Sequence, residues 1–80
     1  MSDTPEFQYE VDARGLRCPE PVMMLHARLR KMQPGETVRV LADDPSTTRD
    51  IPTLCEHLGH ALLVQEESAG EYRYVVRKRD

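Results

Sequence analysis

Residues 7–32 read FQYEVDARGLRCPEPVMMLHARLRKM, and the spacing of apolar residues changes once along them. Phe7, Tyr9 and Val11 alternate with polar residues, which predicts a first strand. Asp12 to Arg17 follows as a loop with Gly15 as its flexible point. From about Pro19 to Met32 the apolar residues Val22, Leu25, Leu29 and Met32 return at helical spacing, a core stripe. Proline suits a helix's first turn, where the N–H groups have no intrahelical acceptor. Arg28, Arg30 and Lys31 lie off the stripe, and positive charge suits a last turn. Pro34-Gly35 ends the helix.

The remaining segments extend this alternation of strand and helix. Thr37 to Ala42 predicts a second strand, with Val38, Val40 and Ala42 on one face. Asp43-Asp44-Pro45 is a turn into a second helix, capped by Thr47 or Thr48 and running to about Leu58. Its buried stripe is Ile51, Leu54, Cys55 and Leu58; Pro52 makes its start irregular and Gly59 stops it. Ala61 to Gln65 and Tyr72 to Arg77 are strands three and four, joined through Ser68-Ala69-Gly70. The order β-α-β-α-β-β predicts a two-layer α/β sandwich, one mixed sheet covered on one face by two helices. Residues 1–80 read as a single domain, with Met1 to Glu6 a loose polar end.

Composition narrows the function. Eighty residues bury a thin core with little room for a large cofactor. Eleven Lys and Arg against 14 Asp and Glu give a net charge of -3, which argues against direct nucleic-acid binding. Arg77-Lys78-Arg79 reads as a solvated strand end. No run approaches the ~20 apolar residues of a membrane span and no signal-like segment opens the chain, so the expectation is a cytoplasmic protein away from membranes. Two cysteines do not make a disulfide scaffold, and a bond between Cys18 and Cys55 is left open.

Cys18 is the one obvious reactive atom. It stands before Pro19-Glu20-Pro21 at the entry to the first helix, where partial positive charge favours a thiolate. A helix terminus contributes ~0.3–1 kcal/mol and up to about 2, so the expected fall in pKa is about one unit. Arg17 adds to that effect and Glu20 opposes it. Pro19 and Pro21 remove first-turn donors and leave a stiff turn that fixes the sulfur. No base accompanies it: His26 is eight residues along the helix, ~12 Å away, and nothing in the sequence places His57 or His60 beside it. No Cys-X-X-Cys dithiol is present. The pattern is a holder of one reactive sulfur without the rest of an active site.

Other residues carry weaker signals. Cys55, on an apolar stripe, reads as a buried and inert thiol. Cys55, His57 and His60 lack a fourth ligand and paired spacing, so no metal or cofactor is expected. Met23 and Met24 point away from the stripe and, with His26 and Arg30, would form a docking face beside Cys18. The polar run Asp43 to Asp50 reads as a turn leading into a helix, with exposed charges free for partner recognition.

Three blocks together resemble a known family. Leu16-Arg17-Cys18-Pro19-Glu20-Pro21-Val22-Met23-Met24, Met32-Gln33-Pro34-Gly35-Glu36, and Ala42-Asp43-Asp44-Pro45 with Thr47-Thr48-Arg49-Asp50-Ile51-Pro52 are similar to the TusA/SirA-like sulfur carriers, over about Asp12 to Lys78. The resemblance implies the same two-layer sandwich. It implies that Cys18 takes sulfane sulfur from a cysteine desulfurase as a persulfide and passes it to downstream Tus-type relay proteins, ending in 2-thiouridine at a tRNA wobble position. It also implies docking roles for Met23, Asp44 and Arg49, to which Arg17, Glu20 and His26 are added as neighbours of the thiol or its helix. His26 stands where the close relatives carry arginine. Alternatives left open are a thiol-based redox or regulatory module, an RNA-binding module, and delivery of sulfur to molybdenum-cofactor synthesis or sulfur oxidation.

Overall fold

The computed structural model describes residues 7–80, so the loose end expected over Met1 to Glu6 lies outside the described residues. The elements are β1 (Tyr9–Asp12), α1 (Glu20–Lys31), β2 (Thr37–Ala42), α2 (Thr47–Leu58), β3 (Ala61–Ser68) and β4 (Glu71–Arg77). They form one four-stranded mixed sheet in the order β1-β2-β4-β3. β1 runs parallel to β2 across the α1 crossover, and β4 is antiparallel to both β2 and β3. The expected order of elements and the two-layer α/β architecture are what the structure has.

Alternation along the strands decides which face is covered. Val38, Val40 and Ala42 pair in register with Val76, Tyr74 and Tyr72, and Val11 pairs with Val40. These side chains form one core with Leu25, Leu29 and Met32 of the α1 segment and with Ile51 and Cys55 of α2. Sharing that core puts both helices on the same sheet face. The opposite face carries the intervening residues. Leu41 and Val75 are buried there although no helix lies over them. Long charged side chains cover apolar surface with their stems while their heads stay wet. Arg39 and Arg73 line one depression with Val75 on this face, and Arg39 binds Glu10 through Nε at 2.7 Å and stacks over the Phe7 ring at 4.5 Å.

Four details differ from the sequence expectation, each for a local reason. β1 begins at Tyr9, because Phe7 is spent on the Arg39 guanidinium rather than on the ladder. In α1 the buried stripe is Pro21, Leu25 and Leu29, so Val22 is rotated to the edge of the core. Neither Thr47 nor Thr48 caps α2: their hydroxyls donate back to the carbonyls of Asp44 and Pro45, and Ser46 is the N-cap. β3 runs three residues further than expected, through Glu66, Glu67 and Ser68, so the hairpin turn is the pair Ala69-Gly70. Glutamate is a poor strand former in isolation, and the pairing with β4 overrides it.

Two turns show how the backbone is completed. Ala69 and Gly70 have φ 52 and 78, the two positive values a two-residue type I′ turn needs. Pro52, inside α2, has no N–H to give the Thr48 carbonyl. The Gln65 side-chain amide of β3 donates to that carbonyl at 3.3 Å instead. Gly59 closes α2 at φ 79, and the His60 N–H also reaches the Cys55 carbonyl.

Candidate functional site

Cys18 lies in the loop between β1 and α1, and its thiol is exposed. Pro19 stands at the N-cap of α1 without a side-chain cap, and the Cys18–Pro19 peptide is cis. The turn is held from across the molecule. The Cys18 N–H donates to Asp44 Oδ2 at 2.7 Å, and the Gly15 N–H donates to the Asp43 carboxylate at 3.0 Å. The β2–α2 turn therefore grips the β1–α1 loop at two points.

Asp44 is itself anchored. Its Oδ1 accepts the Ser46 N–H at 3.0 Å. Its carbonyl accepts the Thr47 hydroxyl at 2.8 Å, and Thr47 Oγ1 lies 2.8 Å from Tyr74 Oη, both side chains buried. Thr47 has one proton, which it gives to Asp44, so Tyr74 is the donor in the second bond. A hydrogen-bonded chain thus runs from Tyr74 in the sheet, through Thr47 and Asp44, to the Cys18 amide. The N–H groups of Ser46 and Cys18 hold the Asp44 carboxyl below the usual carboxylate range.

The sulfur atom has a carboxylate for a neighbour. Cys18 Sγ donates to Asp50 Oδ2 at 3.1 Å, and Asp50 lies in the first turn of α2. That hydrogen bond, followed by partial desolvation, pushes the thiol above its ordinary pKa, and the Asp44 charge pushes the same way. The expected depression by the helix terminus is therefore reversed. Neighbours along the chain dominated the sequence reading, whereas the deciding group is 32 residues away. Ser46 Oγ acts in the opposite sense: it is buried, lacks a hydrogen bond of good geometry, and favours ionised Sγ.

Beside Sγ runs an open groove of about 380 Å³. Pro19 and Val22 form one wall; Asp50, Thr53, Leu54 and His57 form the other. The second wall is the i, i+3, i+4, i+7 stripe of α2, adjacent to its core stripe. Val22 and Leu54, expected in the core, are half-buried because they line this groove. His57, which the sequence did not place near the thiol, also lines it.

The expected docking set divides. Arg17 and Glu20 are exposed beside Cys18, and Met23 is 61% exposed one turn along α1. The Arg49 side chain is 80% exposed, with Nε 3.5 Å from Asp50 Oδ1. Asp44 is not a surface charge: it is 9% exposed, and its carboxylate is committed to the Cys18 and Ser46 amides. His26 and Arg30 line a separate depression with Leu58, His60, Lys78 and Arg79, away from the thiol groove. Burial and the nearby Arg79 charge lower the pKa of His60 there.

Cys55 is buried, and burial pushes its thiol up to about 11. Cys55, His57 and His60 point to three different surroundings, and no group of three His, Cys, Asp or Glu among the described residues is arranged for a metal ion. No helix among the described residues is long and apolar enough to cross a membrane. Asp50, Ser46 and His57 are the site neighbours that the sequence reading missed. The signal for Asp50 and His57 was the second stripe of α2; the signal for Ser46 was its place one helical turn before Asp50.

These features occur within a recognisable whole. The family model described as sulfurtransferase TusA matches residues 9–78, which include Cys18, Asp44 and Asp50. The sulfur carrier proteins TusA of Pseudomonas paraeruginosa and Pseudomonas aeruginosa are each 56% identical to this chain over 69 residues, 86% of this chain and 87% of theirs. A SirA-like protein from Desulfitobacterium hafniense, solved by crystallography, shares the fold with a TM-score of 0.80 at 23% identity, over 91% of this chain and 100% of that one. With the thiol loop, both helices and all four strands inside the matched span, the chain belongs to the TusA family of sulfur carriers.

Proposed function

We propose that Cys18 Sγ carries sulfane sulfur as a persulfide, loaded by a cysteine desulfurase and unloaded by a Tus-type relay protein on the way to 2-thiouridine at a tRNA wobble position. The observation that carries this reading is an exposed thiol on a fixed loop that opens on a groove, within a TusA-family chain. Two proteins in turn must reach one sulfur atom, and an open loop-to-helix junction suits that. Arg17, Glu20, Met23 and Arg49 are the exposed residues around it that would meet those partners. Asp44 serves the site from beneath, as a positioning residue for the Cys18 amide.

The chemistry is exchange at divalent sulfur. Cys18 thiolate attacks the terminal sulfur of the donor persulfide; the new S–S bond forms as the old one breaks, and the donor thiolate leaves with the electron pair. Unloading repeats the step with Cys18 as leaving group. Nothing is oxidised or reduced overall, and one proton is exchanged with solvent at each thiol.

Incubation with a cysteine desulfurase and cysteine is expected to add one sulfur, ~32 Da by mass spectrometry, at Cys18. The reading fails if Cys18→Ser gains the same mass or the wild type gains none. Transfer from the loaded protein to candidate acceptors, followed by thiouridine analysis of tRNA, tests the destination.

A further inference from the structure

We propose that Asp50 is a retention residue: its carboxylate, 3.1 Å from Cys18 Sγ, makes Sγ a reluctant leaving group and keeps sulfur on the carrier between partners. The proposal rests on the sulfur-carrier reading of Cys18. To unload, an acceptor thiolate bonds to the terminal sulfur, the Sγ–S bond breaks, and Sγ departs with the electron pair as a thiolate. It then takes a proton from solvent and returns to the thiol that donates to Asp50 Oδ2. A fixed negative charge beside Sγ opposes the charge that develops there. Thiol exchange is faster when the departing thiol is more acidic, so Asp50 slows departure.

The same carboxylate burdens the loaded state less. In a persulfide Sγ is an uncharged bridging atom, and the ionisable sulfur lies about 2.05 Å beyond it. The groove beside Sγ provides space for that outer atom. Asp50 therefore penalises the departing thiolate more than the loaded carrier, which slows leakage to small thiols.

The surroundings show how retention is released. Around Sγ lie Asp50 and His57 from α2 and Asp44 and Ser46 from the turn before it, while Arg17, in the thiol's own loop, acts on the Asp44 carboxylate. Of these, Ser46 Oγ is a buried hydroxyl with no well-formed hydrogen bond in the resting site. It lies between the Asp44 carboxylate and Sγ, and a thiolate at Sγ competes for it as an acceptor. The Asp50 side chain is 21% exposed and already faces the Arg49 guanidinium. A cation on a docked partner can reach it, neutralise the carboxylate and free Sγ to leave.

The test compares wild type, Asp50→Asn and Ser46→Ala, each loaded by a desulfurase and then exposed to dithiothreitol. Loss of the ~32 Da increment is followed by mass spectrometry. Asp50→Asn is expected to shed sulfur on the order of three- to tenfold faster than wild type, and Ser46→Ala more slowly. A second readout needs no cargo: the iodoacetamide rate of empty Cys18 against pH shifts to lower pH in Asp50→Asn and to higher pH in Ser46→Ala. Equal shedding rates with superposed alkylation profiles overturn the retention role while leaving the carrier reading intact. A wild type that never loads overturns the carrier reading and the retention role with it, whatever the profiles show. Should Asp50→Asn not fold, the wild-type profile alone decides: a midpoint at or below that of a free cysteine peptide overturns the proposal, and one above supports it.

Discussion

The backbone amide of Cys18 and the carboxylate of Asp44 meet at 2.7 Å across 26 residues of sequence. The reactive loop is thus positioned by the turn between β2 and α2, and the turn is positioned by the sheet. Consequences for stability follow from which groups lose a partner when a link is removed.

Asp44→Ala leaves the Cys18 and Ser46 amides without their acceptor. Both bonds are half-buried and run to a charged carboxylate, and since hydrogen bonds to charged groups are worth about 1.5–3 kcal/mol, a urea unfolding curve is expected to move by an amount at the low end of that range. The pH dependence has a definite sign. The folded pKa of Asp44 is depressed below its unfolded value of 3.8, so its contribution is present above that value and is lost as pH falls below it. The stability gap between wild type and Asp44→Ala should narrow in acid; a gap that widens there contradicts the assignment.

Thr47→Val removes the donor to the Asp44 carbonyl and the acceptor for Tyr74 Oη together. It should cost more than Tyr74→Phe, which removes one bond worth about 0.5–1.5 kcal/mol. Since both act on the same bond, the double variant should be more stable than the sum of the singles predicts. Chemical denaturation of the four proteins measures this, and strict additivity would separate the two residues energetically.

Native protein at pH 8 should take up one equivalent of iodoacetamide, at Cys18, and a second only when unfolded in urea. Cys55 is buried and its thiol is pushed up to about 11 from 9.0. A raised folded pKa means that the contribution is complete below the unfolded pKa and fades as pH rises from about 9 towards 11. Thermal melts should show a fall in stability over that window that is smaller in Cys55→Ala. Rapid double labelling of the folded protein would place Cys55 at the surface instead.

Ala69→Asn should stabilise the β3–β4 hairpin. Ala69 has φ 52, in the left-handed region that costs an L-residue with a Cβ roughly 1–2 kcal/mol per residue, and Asn-Gly is the preferred type I′ pair. A gain of about 0.5 kcal/mol or more in denaturant midpoint is expected, with the Cys18 alkylation rate unchanged because neither Ala69 nor Gly70 lines the groove.

The sequence carried most of the fold because each element had a periodic stripe or a stop signal of its own: Val38, Val40 and Ala42 for β2, and Gly59 for the end of α2. Where it erred, a distant partner outweighed a local preference. Glu66 and Glu67 joined β3 because β4 was there to pair with, and Val22 left the core because α2 stood beside it as a groove wall. In the site, Cys18 was legible from its two prolines, and the buried character of Cys55 from its stripe. The sense of the thiol's pKa shift was not, since Asp50 reaches Sγ only after α2 has docked. Asp44 looked like a surface charge in a turn for the same reason: its acceptor role depends on a loop 26 residues earlier.

The two contacts that quiet Cys18 span 26 and 32 residues, so neither exists in a chain that has not finished folding. A nascent or partly unfolded molecule presents a thiol of ordinary acidity, ionised more readily than the native one and so more open to peroxide. Completing the tertiary structure is, for this cysteine, also the step that lowers its thiolate fraction, on which attack by peroxide depends.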